Sequence, residues 1–354
     1  MSEDALKRLR DAIDSIDLEI LELISRRAEH AREVGRIKNG ALIYRPEREA
    51  QVLRRLREKN PGPLSSDSIT RLFVEIISAC RALEEGLKIA YLGPEGTFTQ
   101  AAAHKHFGHE SRTLPCPSID DIFRAVESGN ADYAVVPVEN TTGGSIPRTL
   151  DLLLKSPLKI CGEVMLRVHQ NLIGRDVQNI KRIYSKDQSL AQCHEWLNAN
   201  LPHAERIAVS SNAEGARLAS LEGNSAAIGP EAAAEVYKLQ VLAKNIEDEP
   251  NNTTRFLVMG KEDAPPSGCD KTSLAFSAKN KPGAVHELLT PFAKHNVSMT
   301  KFESRPAGTG LWEYAFFVDI EGHQKDENVA KALLELEKAT SFLKIFGSYP
   351  AASC

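Results

Sequence analysis

Residues 88–93 read KIAYLG, a short apolar run that ends in a Gly93-Pro94 turn, and here the chain changes character. Such a run, bounded by turn residues, has the pattern of a buried strand. YAVVPV at 133–138 has the same pattern, and helical stretches at 118–128 and 188–200 alternate with the strands. Alternation of this kind indicates an α/β domain, expected over 88–262. It closes near RFLVMG (255–260), and KEDAPPSGCDK (261–271) has the composition of a linker.

Upstream of Lys88 the pattern is all helix, expected over 1–87. In residues 4–38, Leu6, Leu9, Ile13, Ile16, Ile20 and Leu23 alternate spacings of three and four, the seam of a helix packed along another helix. Asn39-Gly40 supplies a stop. Pro46 starts a second helix, which ends before Pro61-Gly62-Pro63. A Ser65-Ser66 cap opens a third, with Ile69, Leu72, Phe73, Ile76, Ile77, Cys80 and Leu83 on one face. Downstream of the linker, a domain over 272–350 reads strand (272–278), helix (283–295), strand (297–303), strand (311–320), helix (327–338), strand (342–347). That βαββαβ order is a split ferredoxin-like sandwich.

A chain of 354 residues is too long for one core, so two or three domains are expected. A hydrophobic fraction of 42%, a charged fraction of 26% and a net charge of -4 leave no polyanion footprint, so nucleic acid is not an expected partner. MSEDALKRLRDAIDSID is charged and periodic and lacks the apolar stretch of a signal peptide. No apolar run reaches the roughly 18 residues of a membrane span. A cytoplasmic protein without a membrane partner is expected. The cysteines at 80, 116, 161, 193, 269 and 354 lack CxxC spacing and read as free thiols of a reducing compartment. His104, His106 and His109 fit no common metal-ligand spacing and are expected to be surface histidines; neither metal nor cofactor is expected.

Extending the seam by its own rule puts residues 27, 30, 34 and 37 at core positions. Val34 and Ile37 fit; Arg27 does not, and a buried arginine demands an anionic partner. Arg27 and Lys38 are 11 residues apart, which places them within about 20° on one helix face with backbones roughly 16 Å apart. Either the two converge on a small dianion or both are solvated helix charges.

LRDAID (9–14), SRRAEHAREVGRIK (25–38), YRPERE (44–49) and ITRLFVEIISACRALE (69–84) together resemble the all-helical chorismate mutases. The resemblance implies that Arg10, Arg27, Lys38, Arg48, Glu49 and Glu84 line a site for chorismate. In it Arg10 and Arg27 bind the two carboxylates and Lys38 addresses the ether oxygen. Arg45 and Cys80 stand where several relatives carry Asp and Ser. Glu84 stands for a Gln of many relatives; as a donor to the ether oxygen it must be protonated, so mutase activity is expected to fall with rising pH, and Glu84→Gln to flatten the profile. The rearrangement is a concerted electron shift that needs a held conformer and stabilised charge, both within the means of fixed cations. Arg10 and Lys38, 28 residues apart, lie about 42 Å apart along one helix. One substrate cannot touch both, so a homodimer (or higher homo-oligomer) with exchanged helices is expected, Arg10 crossing from the partner.

GPEGTFTQAAA (93–103), VPVENTTGGSI (136–146), YSKDQSLAQC (184–193) and NNTTRF (251–256) are turns rich in Gly, Thr, Asn and Ser, suited to an anionic ligand. As an ordered set they resemble prephenate dehydratases, whose α/β form is that of periplasmic solute-binding proteins. The resemblance implies that Thr254 is the catalytic residue acting on prephenate, that Arg255 and Phe256 shape the pocket, and that Thr97 and the Glu139-Asn140-Thr141 corner belong to it. A threonine hydroxyl is a feeble acid, so Thr254 reads as a hydrogen-bond donor to the departing oxygen, while Arg255 suits a carboxylate.

The last segment resembles the ACT family of small-molecule sensors. Its marks are Pro282-Gly283-Ala284-Val285 at a helix start and Glu303-Ser304-Arg305-Pro306 at a strand end. The resemblance implies a phenylalanine site at Gly283, Ala284, Val285, Glu303, Ser304, Arg305 and Pro306, and feedback inhibition. The three segments together imply a bifunctional enzyme that turns chorismate into prephenate and then into phenylpyruvate. An arogenate dehydratase and a non-catalytic amino-acid-responsive binding protein are the alternatives.

Overall fold

The computed structural model describes residues 3–38, 44–83, 86–277, 282–306 and 314–352. Three helices come first: α1 (Glu3–Lys38), α2 (Pro46–Lys59) and α3 (Ser66–Ala82). Pro46 occupies the first turn of α2, where its missing N–H costs nothing. Ser65 caps α3, its Oγ accepting the Ser68 N–H at 3.1 Å. At 36 residues α1 is about 54 Å long, roughly twice the length of α3, so among the described residues its far half has nothing to pack on. Its seam is accordingly uncovered: Leu9 is 60% exposed and Ile13 56%. The proposed continuation is uncovered too, with Val34 and Ile37 both exposed.

The middle domain has two lobes. The first holds β1 (Lys88–Leu92), α4 (Phe98–Phe107), β2 (Arg112–Cys116), α5 (Ile119–Glu127), β3 (Tyr133–Asn140), β4 (Gly144–Ser145), α6 (Pro147–Lys155) and β5 (Lys159–Arg167). The second holds β6 (Asn171–Gly174), β7 (Arg182–Ser185), α7 (Asp187–Gln192), α8 (His194–Asn200), β8 (Glu205–Ala208), α9 (Asn212–Leu221), β9 (Ser225–Gly229), α10 (Glu231–Val236) and β10 (Gln240–Ala243). The chain then returns to the first lobe as β11 (Thr253–Gly260). Sheet orders are β2-β1-β3-β11-β5, with β4 on β3, and β10-β6-β9-β7-β8. β11 is antiparallel to both neighbours, whereas β1, β2 and β3 are parallel. The helix expected over 188–200 is broken at Cys193 into α7 and α8.

The last domain holds β12 (Asp270–Ser277), α11 (Ala284–Lys294), β13 (Met299–Pro306), β14 (Tyr314–Glu321), α12 (Glu327–Ala339) and β15 (Phe342–Pro350), with sheet order β13-β14-β12-β15. One sheet face is covered by α11 and α12 through Leu274, Phe276, Leu288, Phe292 and Leu336. The other packs on the middle domain, where Ala275, Phe317, Phe346 and Tyr349 share one core with Val138, Leu150, Ile160 and Leu257. The approach is close enough that a Cβ on Gly347 would collide with the Ile160 carbonyl.

Cys80, Cys116, Cys161 and Cys193 are free and buried. The expectation of free thiols fails at Cys269, which is disulfide-bonded. No described helix is long and apolar enough to cross a membrane.

Candidate active sites

A cleft of about 1140 Å³ separates the two lobes of the middle domain. Antiparallel pairing of β3 with β11 sets Thr254 opposite Asn140 and Arg255 opposite Glu139. Side chains alternate along a strand, so these two pairs point to opposite faces of the sheet. Asn140 and Thr254 line the cleft, together with Phe98, Ser145, Gln188 and Phe256.

The Asn140 amide has one possible orientation. Its Oδ1 accepts the N–H groups of Thr142 (3.1 Å) and Gly143 (2.9 Å), both obligate donors. Its Nδ2 therefore donates, to Asn252 Oδ1 at 2.7 Å and to Thr254 Oγ1 at 2.8 Å. With a lone pair of Oγ1 engaged by that donor, the Thr254 proton is directed away from Asn140. Among the described residues it meets no protein acceptor.

The cleft favours anions. α4 and α9 both start at it, capped by Thr97 and Ser211, and Lys186 lies on its wall. None of the lining residues carries a carboxylate. Thr97 is the cap itself, donating to the Leu92 carbonyl at 2.9 Å and accepting the Gln100 N–H at 3.4 Å. Its contribution to the cleft is a placed helix terminus.

Two sequence expectations are corrected by the alternation of β11 and β3. Arg255 does not face the cleft: its Nε–H donates to Glu163 at 2.8 Å, and its Nη1 and Nη2 donate to Asp319 at 2.5 Å and the Tyr349 hydroxyl at 2.8 Å. All three of its nitrogens are engaged on the face turned away from the cleft, and Arg255 is not among the residues that line it. Glu139 likewise turns to the last domain and pairs with Lys301 at 3.1 Å. Thr141 stays in the corner, accepting the Thr253 N–H at 3.0 Å and donating to the Asn251 carbonyl at 3.3 Å.

The chain matches the family models Chorismate mutase type II over 9–85, Prephenate dehydratase over 89–264 and ACT domain over 272–338. It is 56% identical over 348 residues to the bifunctional chorismate mutase/prephenate dehydratase of Neisseria gonorrhoeae, covering 97% of this chain and 96% of that one. The chain belongs to the bifunctional chorismate mutase/prephenate dehydratase family. The same-named protein of Pseudomonas aeruginosa is 49% identical over 360 residues, 99% of each chain. Among solved structures, the prephenate dehydratase in complex with L-Phe from Arthrobacter aurescens superimposes with a TM-score of 0.70 at 33% identity, over 75% of this chain and 91% of that chain.

In the mutase domain, Arg27 is half-buried, its Nη1 3.5 Å from the Ile76 carbonyl on α3. Its charge acts on Glu49, whose carboxyl burial raises above the usual range against the opposing pull of Arg81 and Arg27. Arg48 and Arg10 are exposed in the single chain. The Lys38 side chain and Glu84 lie outside the described residues. Sequence reasoning missed Arg81, which is buried, donating to Glu49 at 2.6 Å and to the Phe107 carbonyl of the dehydratase domain at 2.6 Å. A cation beside Cys80 on an otherwise apolar face was the available signal.

The three histidines do not converge, and no metal-ligating group forms among the described residues. His109 is a surface residue paired with Glu75 at 2.7 Å, and it stacks on His104 at 4.5 Å. His106 departs from expectation. The Tyr44 hydroxyl lies 2.5 Å from its Nε2, across the mutase–dehydratase junction, and burial, with Arg81 nearby, holds its pKa down at about 3.

In the ACT domain, Ser277 and Arg305 both pair with Ala315 of β14, from opposite sides. The chain therefore leaves β12 for α11 at the sheet end where the Glu303–Pro306 motif lies. Gly283 opens α11 at φ 78°. The motif itself faces two ways. Glu303 accepts from Ser145 at 2.5 Å, and Arg305 donates to the Pro147 carbonyl at 2.9 Å, both on the cleft rim. Ser304 and Pro306 are exposed.

Proposed function

We propose that the chain runs its two reactions at two separate sites, one on α1, α2 and α3 and one in the cleft between the lobes. The chain is an enzyme of phenylalanine biosynthesis: it rearranges chorismate to prephenate, then dehydrates and decarboxylates prephenate to phenylpyruvate. Phenylalanine inhibits it by feedback. The domain division that fits is 1–87, 88–262 and 272–350.

In the cleft, the observation that carries the reading is Thr254 accepting from Asn140, which commits its own proton to a ligand. As the bond to the ring carboxylate breaks, its electron pair enters the ring and hydroxide leaves, giving CO₂ and the aromatic product. Negative charge grows on the departing oxygen, where a preplaced donor contributes about 10²–10³ in rate. Thr254 is that donor. Asn140 aims it, Phe256 and Phe98 supply apolar wall, and the starts of α4 (capped by Thr97) and α9 receive the carboxylates.

At the mutase site, Arg27, Lys38, Arg48, Glu49 and Glu84 belong to one chain and Arg10 to its partner. The exposed seam of α1 supports a homodimer, since a row of uncovered apolar residues along a 36-residue helix calls for a second helix. Phenylalanine fits the end of the ACT sheet, held by Gly283, Ala284, Val285, Ser304 and Pro306, with Glu303 and Arg305 facing the cleft rim. A cytoplasmic location suits such an enzyme. A fused mutase makes prephenate directly, which favours prephenate over arogenate.

The test supplies chorismate to the full chain and follows prephenate and phenylpyruvate, with and without phenylalanine. Phenylpyruvate should form, phenylalanine should suppress it, and Thr254→Ala should accumulate prephenate. Chorismate left untouched would refute the reading.

A further inference from the structure

The last domain docks on the backs of the two residues that build the hydroxyl site. Asn140 and Thr254 are cross-strand partners on the cleft face; Glu139 and Arg255, one residue along, are partners on the reverse face. Arg255 is only 7% exposed there, and each of its three nitrogens has a partner. Two of those partners, Asp319 and Tyr349, come from β14 and β15. Ser273 of β12 ties them together, donating to Asp319 at 2.5 Å and lying 2.6 Å from the Tyr349 oxygen.

A well-packed apolar cluster would be at least as stable as this buried ionic group. What the ionic group adds is direction. A planar guanidinium with three fixed partners permits one placement of its own backbone, and the next residue back along that strand is Thr254. The donor at Thr254 must meet a departing oxygen within a few tenths of an ångström, and misplacement by about 1 Å costs about 10² in rate.

We infer that Arg255 is a positioning residue of the dehydratase reaction, holding Thr254 from behind and making its placement depend on the docked ACT domain. The inference rests on the reading of Thr254 given above. Arg255 touches no substrate, so its partners govern kcat and leave KM alone. A purely structural ion pair would move thermal stability and neither constant.

The experiment measures prephenate turnover by the full chain, with and without phenylalanine, in Asp319→Asn and Tyr349→Phe. Asp319→Asn should lower dehydratase kcat by about tenfold or more with KM within about twofold, and should weaken inhibition by phenylalanine. Mutase activity, at the other end of the chain, should stay within about twofold. Tyr349→Phe removes one hydroxyl, with its bonds to Arg255 and Ser273, and leaves the Asp319 pair in place. It should show the same split at about threefold, and it decides the matter alone should Asp319→Asn fail to fold. An unchanged kcat in the folded variants, or a raised KM at constant kcat, overturns the inference. Thr254→Ala separates the two layers. Retained turnover there sinks the reading of Thr254 and the inference with it, whereas lost turnover beside a normal Asp319→Asn sinks the inference alone.

Discussion

The Asn140 amide nitrogen lies 2.8 Å from the Thr254 hydroxyl oxygen, directly across β3 and β11. The direction of this bond is testable. In Asn140→Asp, one carboxylate oxygen still takes the Thr142 and Gly143 N–H groups, but the other now accepts the Thr254 proton. The donor is withdrawn from the cleft, and dehydratase kcat should fall by about 10²–10³. Thr254→Ser should retain far more activity than the near-isosteric Thr254→Val. Equal rates for Ser and Val would show that the hydroxyl is not used.

His106 predicts an acid-labile junction between the mutase and dehydratase domains. Its folded pKa is held down at about 3, below an ordinary value of 6.5, so the unfolded chain takes up the proton first. The stabilisation is complete above pH 6.5 and is lost as pH falls toward 3, at up to about 1.4 kcal/mol per pH unit. Denaturant unfolding at pH 7.5, 6 and 5 should show the loss in the native chain. His106→Gln, which still accepts from Tyr44, should show a flatter dependence; identical slopes would remove His106 as the source.

Arg81 stands between Glu49 and the dehydratase domain. Removing it in Arg81→Met leaves the buried Glu49 carboxyl with only the weaker pull of Arg27, so its pKa rises further. Mutase activity at neutral pH should fall about tenfold, and the acid side of its pH profile should move upward, while prephenate turnover holds within about twofold. A mutase profile that does not move would show that Glu49 is not used as a carboxylate.

The bare seam of α1 predicts that Ile13→Glu yields a monomer with dehydratase activity and little mutase activity, checked by sedimentation and both assays. Complementation is a sharper check. Arg10→Ala and Arg27→Ala chains, each inactive as a mutase, should regain roughly a quarter of native activity when unfolded and refolded together, because half of the dimers then carry one intact site. Recovery at the level of the separate variants would mean that Arg10 does not cross.

Gly283 adopts a left-handed backbone, and among the described residues a Cβ there would meet nothing within 4 Å, so backbone strain limits substitution. Gly283→Val should leave both activities near native and abolish inhibition by phenylalanine. Retained sensitivity would place the effector elsewhere.

The periodicities carried most of the fold. The α1 helix, the strands at 88 and 133, and the βαββαβ order of the last domain all appear where apolar spacing put them, whereas the α1 seam lies uncovered in the single chain. Cys193 broke a helix that pattern alone ran through, since nothing local in the sequence stops it there. The candidate site was less legible. Thr254, Asn140 and Phe256 were reachable from the TRF and ENT turns, but assigning Arg255 and Glu139 to the same pocket overlooked strand alternation, which sends neighbours to opposite faces. Arg81 and His106 gained their meaning from contacts between domains, across 26 and 62 residues of sequence, and no local pattern encodes such a pairing.

The shared core of Val138, Leu257, Phe317 and Tyr349, with Arg255 threaded through it, bears on how this enzyme would be desensitised. Truncation ahead of residue 270 would not release an unregulated catalyst. It would strand a guanidinium and Glu163 without their ACT-domain partners on a freshly wetted apolar face, directly behind Thr254. Relief from end-product control is better sought by single substitutions at the effector pocket, which leave that shared core intact.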